Sequence, residues 1–296
     1  MKHKIRASNL RAPAEIRYGM ALQSTDPIAQ RTDLFAALQK ISQTETLPLF
    51  RTAIEVDNKK ASAGWFDPVT KADRACEEKL RALIRQHFPS DGIFGEEYGA
   101  EKLDARFVWV IDPIDGTRAF ICGVPLWGTL IGLLENGIPV AGLGYQPFID
   151  EAFHISGDEP HHVMRGKTAK LQTRRCSALS QATLLTTTPA LFIGEDRAAY
   201  NALEEAVRTV RYGTDWYGYA LVASGSADIV VETGLSLYDI VAQIPLIEAA
   251  GGAVTDWSGR RLIEQNLLDE EAFTGQIIAV GDRQLVPLVR ERMSLS

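Results

Sequence analysis

The sequence has 296 residues, a formal net charge of −7 and a hydrophobic fraction of 46%, enough for a sizeable core. This acidic balance argues against nucleic acid as a partner, because a nucleic-acid surface needs a basic stripe. No apolar run approaches the roughly 18 residues of a membrane span, so no membrane partner is expected. The three cysteines are far apart and form no Cys-x-x-Cys pair, which argues against a disulfide framework or zinc site and favours a reducing cytoplasm.

The predicted elements begin after a basic N-terminal segment. Residues 1–26 carry positive charge with no apolar segment behind it, so we predict a loosely ordered extension rather than a signal peptide or an anchor. Helical spacing of Leu34, Leu38 and Ile41 predicts an opening helix, and residues 70–88 show the same spacing over a longer stretch. The first half of the chain therefore opens with two helices.

Strands follow these helices. Apolar runs predict strands at residues 107–112 and 151–156, and residues 128–147 predict a hairpin around Asn136-Gly137. On a strand, adjacent residues point to opposite faces, so His161 and His162 would not bind one metal ion together. We therefore predict that the pair lies in a solvated loop. Residues 27–165 are therefore predicted to form an α+β half with a largely antiparallel sheet.

Residues 166–296 alternate between strands and helices, which predicts a layered α/β half joined to the first in one compact unit. The predicted strands lie at residues 182–187, 227–232 and 276–281. The predicted helices lie at residues 195–210, 215–225, 238–250 and 283–293. Pro245 falls inside the third of these helices, where a kink is expected because proline lacks an N–H.

The segment WVIDPIDGTRAF, residues 109–120, combines two aspartates with turn-forming residues. An ordinary strand followed by a turn explains Asp-Pro and Asp-Gly. Alternatively, a turn at Pro113 brings the carboxylates of Asp112 and Asp115 to one side, beside the Ile114 carbonyl. Hard cations such as Mg²⁺ prefer an oxygen-only ligand set of this kind.

The residues that follow the second aspartate suit an anion. Gly116 permits close approach to the backbone, and a helix opening at Thr117 would present free N–H groups to a phosphate. Three other acidic positions have ordinary explanations when taken singly. Glu96-Glu97 suits a solvated loop, Asp73 suits the first turn of a helix, and Asp239 suits a helix N-cap.

Together these motifs resemble one family. DPVTKAD, GEE, WVIDPIDGT and Glu-x6-Asp followed by EAAGG stand in the order and spacing of the inositol monophosphatase family of Mg²⁺-dependent phosphatases. The resemblance covers roughly residues 30–290. It implies a five-layer αβαβα sandwich, a small phosphate monoester as substrate, and a homodimer.

The resemblance also implies roles for individual residues. The implied metal ligands, for roughly two or three Mg²⁺ ions per site with Mn²⁺ as a substitute, are Glu96, Asp112, the Ile114 carbonyl, Asp115 and Asp239. Thr117 and Asp73, assisted by Glu96, would polarise an attacking water. The family's metal-binding loop corresponds to residues 58–65, where NKKASAGWFD matches poorly, so no ligand is assigned there.

The substrate segments are similar to the histidinol-phosphatase branch of the family. The inositol phosphatases typically read Asp-Gly-Thr-Thr-Asn-Phe and Trp-Asp, whereas this chain reads DGTRAF at residues 115–120 and Tyr238-Asp239. Histidinol phosphate can carry a cationic amine and imidazole, so its pocket should offer carboxylates. The expected substrate-binding residues are Gly116, Thr117, Arg118, Gly213, Thr214, Asp215, Glu232 and Asp239.

The same residues also allow other interpretations. Asp215 also suits an N-cap, and Glu232 could accept the ring hydroxyls of inositol 1-phosphate, the second candidate substrate. A phosphatase of 3′-phosphoadenosine compounds would share the metal motif, and a regulatory protein with a dead site would have lost a ligand. Cys122 lacks a recognisable general base beside it, so we expect direct attack by a metal-activated water without a phosphoenzyme.

Overall fold

The computed structural model describes residues 24–58, 68–269 and 273–294. The predicted extension at 1–26 and the loop at 58–65 lie almost entirely outside the described residues. The helices of the described ranges are α1 (Pro27–Thr32), α2 (Phe35–Thr46), α3 (Lys71–His87), α4 (Thr117–Cys122), α5 (Gly194–Ala206), α6 (Asp215–Ala223), α7 (Leu237–Ile240), α8 (Gln243–Ala250) and α9 (Leu285–Arg292).

The strands complete the list of regular elements in the described ranges. They are β1 (Val56–Asn58), β2 (Pro68–Thr70), β3 (Gly92–Gly95), β4 (Gly99–Glu101), β5 (Phe107–Asp115), β6 (Gly128–Glu135), β7 (Ile138–Gln146), β8 (Glu151–Ser156), β9 (Glu159–Met164), β10 (Lys167–Lys170), β11 (Thr183–Thr186), β12 (Thr209–Tyr212), β13 (Ile229–Glu232), β14 (Ala253–Asp256) and β15 (Ile277–Val280).

Two large sheets organise the part of the chain that the structure describes, and β1 and β2 form a separate antiparallel pair. The larger has eight strands in the order β10-β9-β8-β7-β6-β5-β3-β4, and its pairs are antiparallel except β3 with β5. The smaller has five strands in the order β12-β11-β13-β15-β14, with β11 parallel to β12 and β13. This arrangement confirms an α+β first half followed by an α/β second half.

The central strand β5 is buried on both faces. Successive side chains of a strand point to opposite sides. Accordingly, Trp109 and Ile111 pack among residues of α2 and α3, whereas Val108 and Val110 pack among residues of α6 and α8. Burial on both faces explains why the sequence shows a continuous apolar run here instead of alternation.

The smaller sheet repeats this pattern and completes the layers. Val230 of β13 faces α6 and α8, while Ile229 and Val231 pack against residues of α5 and α9. The order of layers is therefore α1–α3, the larger sheet, α6–α8, the smaller sheet, and α5 with α9. This order confirms the predicted five-layer αβαβα sandwich.

The prediction of a solvated loop at His161-His162 was wrong, because both residues lie on β9. His162 Nε2 lies 2.6 Å from Glu151 Oε1 of the neighbouring strand, and the rings of His161 and His154 stack at 5.8 Å between centroids. The two histidines point to opposite faces of the sheet, so they share no ligand. Residues 159–164 form strand β9 because they pair with β8. The local sequence of this segment does not indicate that pairing.

The structure also corrects two helix predictions. The predicted helix at 195–210 ends at Ala206, because Thr209–Tyr212 pairs with β11 as strand β12. The helix predicted at 238–250 divides into α7 and α8, with the interruption at residues 241–242. Pro245 stands in the first turn of α8, where its missing N–H costs no hydrogen bond.

Candidate active site

Strand β5 carries both aspartates of the central motif through a bulge. Asp112 pairs with Leu130 and Asp115 with Gly128, so three steps along β5 oppose two along β6. Residues three apart in a regular strand point to opposite faces, and the extra residue returns Asp115 to the face of Asp112. The turn expected after Asp112 is thus a bulge within the strand, where Asp112 Oδ1 accepts the Ile114 N–H at 3.0 Å.

Gly116 turns the chain from β5 into α4, which begins at Thr117 as predicted. Its φ of 79° lies in the left-handed region that favours glycine, and an added Cβ would approach Asp215 Oδ2 to 3.3 Å. Thr117 Oγ1 lies 3.0 Å from the Ile114 carbonyl oxygen and 3.5 Å from Asp73 Oδ1. Since a hydroxyl has one proton to donate, these two contacts are alternatives.

Asp73 and Asp239 hold equivalent positions in their helices. Each is the third residue of its helix and closes a capping box, in which Asp73 Oδ2 accepts the Thr70 N–H at 2.8 Å and Asp239 Oδ2 accepts the Ser236 N–H at 2.7 Å. The ordinary explanation of Asp73 as a first-turn carboxylate therefore holds. The N-cap explanation of Asp239 was wrong, since Ser236 is the N-cap.

Glu96 lies beside the aspartates because β3 and β5 are parallel neighbours. Gly95 pairs with Ile111, so the next residue of each strand follows side by side. The Glu96 N–H donates to the Ile111 carbonyl oxygen at 3.1 Å. This register places the Glu96 backbone next to Asp112.

The other wall of the site comes from the carboxyl ends of parallel strands in the smaller sheet. Residues that follow such strands share one edge of a sheet, where α/β proteins commonly bind ligands. Asp215 follows β12 and begins α6 with a φ of 45°, a left-handed conformation that aspartate adopts more readily than most residues. The Trp216 N–H donates to Asp115 Oδ2 at 2.8 Å, which ties the two halves together.

Thr187 is a site residue that the sequence patterns missed. It follows β11, lines the site beside Asp215, and bonds to another predicted residue. Its N–H donates to Glu232 Oε1 at 2.5 Å. Against the effect of burial, its side chain lowers the pKa of Asp215, as a neighbouring hydrogen-bonding group does. A signal was present in the three threonines at residues 186–188, which stand at the carboxyl end of β11.

A cavity of about 200 Å³ joins these walls. The described residues that line it are Glu96, Asp112, Ile114, Asp115, Gly116, Thr117, Arg118, Thr187, Asp215 and Asp239. Four predicted site residues are not among them: Asp73, Gly213, Thr214 and Glu232. Asp73 lies behind Thr117, Glu232 lies behind Thr187, and the other two precede Asp215 in the chain.

The acidic side chains strongly influence one another. Burial and then the charge of Glu96 raise the pKa of Asp112 well above its ordinary value, and burial and then Asp215 raise the pKa of Asp115. One oxygen from each of Asp112, Asp115 and Asp239 lies within 4.8 Å of the others. Like charges this close disfavour ionisation unless a cation offsets them. The oxygen-only donor set therefore fits a divalent ion such as Mg²⁺.

The ionisation of buried Glu232 should affect the stability of the metal-free protein. Burial raises the pKa of Glu232 from 4.5 to about 8, so the stability it contributes is present below pH 4.5 and is lost as the pH rises through 8. Glu232→Gln removes the ionisation and keeps an acceptor for the Thr187 N–H. In EDTA at pH 9, we expect the variant to exceed the wild type in unfolding free energy by a few kcal/mol, since one pKa unit is worth about 1.4 kcal/mol.

Urea unfolding between pH 5 and 9 measures this difference. The matched control is Glu205→Gln on α5, whose side chain is exposed, and its pH profile should follow the wild type. Parallel profiles for wild type and Glu232→Gln would contradict the prediction.

The fold and the oxygen-lined cleft are those of a phosphatase, a phosphoric monoester hydrolase that acts on small phosphate esters. More specifically, the chain belongs to the inositol monophosphatase family, whose sequence model matches residues 28–286. This family is one of metal-dependent phosphatases, as the acidic cluster leads one to expect. No helix in the described ranges has both the length and the hydropathy that crossing a membrane requires.

Several curated relatives and solved structures are similar to this chain. Bifunctional phosphatase IMPL2, chloroplastic, of Arabidopsis thaliana is 43% identical over 227 residues, which are 74% of this chain but only 63% of that protein. Histidinol-phosphatase of Mycobacterium tuberculosis is 32% identical over 240 residues, 77% of this chain and 88% of that protein. Inositol-1-monophosphatase of Mesorhizobium japonicum is 34% identical over 257 residues, 81% of this chain and 90% of that protein.

The structural comparison agrees with the sequence comparison. An inositol monophosphatase from Zymomonas mobilis superposes with a TM-score of 0.78 at 38% identity, over 91% of this chain and all of that one. Both histidinol and inositol phosphatases thus occur among the relatives.

Proposed function

We propose that the protein hydrolyses L-histidinol phosphate to L-histidinol and phosphate, with Mg²⁺ as cofactor. The observation that carries this proposal is the position of Asp215. Its carboxylate lines the cavity next to the Gly116 backbone, where the phosphate would be held. A cationic amine or imidazole close to that phosphate would therefore meet a carboxylate. Relatives named histidinol-phosphatase support the same substrate.

The electrostatic setting of Asp215 suits a cationic ligand. Burial raises the pKa of Asp215 to about 6, and the charge of Arg118 acts in the opposite direction. A bound ammonium or imidazolium would favour the ionised carboxylate further. Thr187 would orient the carboxylate as its neighbour in the cavity wall, and Glu232 would hold the Thr187 backbone in place by accepting its N–H. Gly213 and Thr214 would act through the backbone that leads to Asp215.

The remaining cavity residues divide between metal and phosphate. We propose that the metal ligands are Glu96, Asp112, the Ile114 carbonyl, Asp115 and Asp239, all of which line the cavity. The N–H groups of Gly116 and Thr117 would bind phosphate oxygens, because the first N–H groups of a helix have no partner within it. The cationic side chain of Arg118 at the same edge adds to this anion site.

We propose that water attacks the phosphorus directly. Bound divalent ions would lower the pKa of that water and offset the charge of the phosphate. Thr117 and Asp73 would hold the water, with Glu96 beside them, and Asp73 would accept a proton through the Thr117 hydroxyl. Burial raises the pKa of Asp73 to about 6, which is closer to neutrality and better suited to a general base than that of an ordinary carboxyl group.

Inositol 1-phosphate is the second candidate substrate. Relatives named inositol phosphatases are similar to this chain over most of its length, and Asp215 or Glu232 could accept hydrogen bonds from ring hydroxyls. The test is phosphate release from L-histidinol phosphate, inositol 1-phosphate and glycerol 2-phosphate, each with Mg²⁺ and with EDTA. Faster turnover of inositol 1-phosphate would reverse the order of the two candidates.

We propose that the protein is a homodimer in the cytoplasm. The dimer is implied by the family resemblance, and the free thiols of Cys76, Cys122 and Cys176 suit a reducing compartment. One chain supplies every residue that we propose as a metal ligand, so each subunit would hold its own site. Sedimentation equilibrium at micromolar concentration should give twice the mass of 32.5 kDa. A monomer under these conditions would contradict the proposal.

A further inference from the structure

Helix α3 buries three charged side chains along one face. Asp73, Glu77 and Arg81 follow one another at intervals of four residues, and residues so spaced lie one above another on a helix. They are 0%, 0% and 3% exposed. Burying charged groups costs free energy unless hydrogen-bonding partners replace the lost water. The hydrogen-bonding partners of Glu77 and Arg81 therefore show which part of the chain this face of the helix supports.

Glu77 is bonded to the turn between β3 and β4, which carries Glu96. Its Oε1 accepts the Arg81 Nε–H at 2.7 Å within the helix. Its Oε2 accepts the backbone N–H of Glu97 at 2.7 Å, and Oε1 also accepts that of Tyr98 at 3.2 Å. The N–H groups of the two residues directly after Glu96 thus both donate to the buried carboxylate of Glu77.

Arg81 and Gly95 complete the contact. The Arg81 guanidinium donates to the carbonyl oxygen of Gly99 at the end of the turn. A Cβ on Gly95 would lie 2.0 Å from Glu77 Oε1, so the carboxylate rests directly on the backbone that enters the turn. On the other side, the Glu96 N–H is bonded to β5. Glu96 is therefore held between β5 and the buried ion pair.

We infer that Glu77 and Arg81 are positioning residues that place Glu96 and so set the metal affinity of the site. The inference rests on the proposed function, in which Glu96 is a metal ligand. Neither side chain is among the described residues that line the cavity, so both act through the backbone of the turn. Replacing a residue that orients a metal ligand typically lowers metal affinity by about 10- to 100-fold.

The variant Glu77→Gln tests this inference. Its amide has one acceptor oxygen, and its NH₂ would face the donors now bonded to the carboxylate. We expect the dissociation constant for Mn²⁺, measured from the EPR signal of the free ion, to rise about 10- to 100-fold. The Mg²⁺ concentration for half-maximal activity should rise as well, while kcat at saturating Mg²⁺ changes less. Glu78→Gln is the matched control, because Glu78 is the exposed neighbour on the same helix, and it should keep wild-type affinity.

A second variant displaces the carboxylate without changing any charge. The Cβ of Gly95→Ala would occupy the space of Glu77 Oε1, so Mn²⁺ affinity should fall in the same direction. This variant decides the matter if circular dichroism shows that Glu77→Gln does not fold. Wild-type Mn²⁺ affinity in either folded variant would overturn the inference. A wild-type protein that bound no Mn²⁺ would instead refute the proposed function.

Discussion

Asp112→Asn is expected to lower kcat/KM for phosphate release by about 100-fold or more. Changing a residue that is hydrogen-bonded to a metal ligand typically lowers metal affinity or activity by about 10- to 100-fold. Changing a ligand itself should have a larger effect. Asn keeps the shape of Asp112 and removes a negative charge from an oxygen-only cation site. Steady-state release of phosphate, with Mg²⁺ varied at each substrate concentration, measures the effect.

The stability of the same variant separates lost chemistry from lost folding. Burial and the charge of Glu96 raise the pKa of Asp112, so ionised Asp112 destabilises the metal-free protein. Asp112→Asn should therefore melt no lower than the wild type in EDTA, although it is far less active. Asp104→Asn, at an exposed position before β5, is the control and should leave kcat/KM unchanged. Full wild-type activity in EDTA would refute the metal-dependent mechanism.

Asp215→Asn is expected to lower kcat/KM for L-histidinol phosphate by about 10- to 150-fold. A hydrogen bond between charged groups contributes roughly 1.5–3 kcal/mol, and this range converts to that loss in rate. Asparagine also adopts positive φ readily, so the conformation at 45° should be retained. Kinetics with L-histidinol phosphate and with glycerol 2-phosphate, which has no cationic group, measure the difference.

The second ester distinguishes substrate recognition from general damage to the site. If Asp215 binds the cationic group, turnover of glycerol 2-phosphate should stay near the wild-type value in Asp215→Asn. Asp158→Asn, in an exposed turn after β8, controls for the substitution itself. Equal losses on both esters would show that Asp215 supports the site as a whole, through its neighbours Gly116 and Thr187.

The metal cluster could be predicted because most of its signal is local. Asp112 and Asp115 are three residues apart, and the proline and glycine beside them constrain the backbone directly. The family resemblance of the motifs around Glu96 and Asp239 implied that both residues belong to the site. The structure places both in the same cavity as Asp112 and Asp115. Bulge geometry was not predictable, since it depends on the register of β5 against β6.

The order of helices and strands could largely be predicted from the sequence alone, because each segment carries its own apolar pattern. The five-layer arrangement of these elements was implied by the family resemblance. Only the tertiary structure decided that Thr187 joins Asp215 at the site, that Thr209–Tyr212 is a strand, and that Glu77 and Arg81 are buried against the turn carrying Glu96. Each depends on which distant segments meet. The hydrophobic pattern of a segment reports its own secondary structure, and it does not identify the distant segment that it contacts.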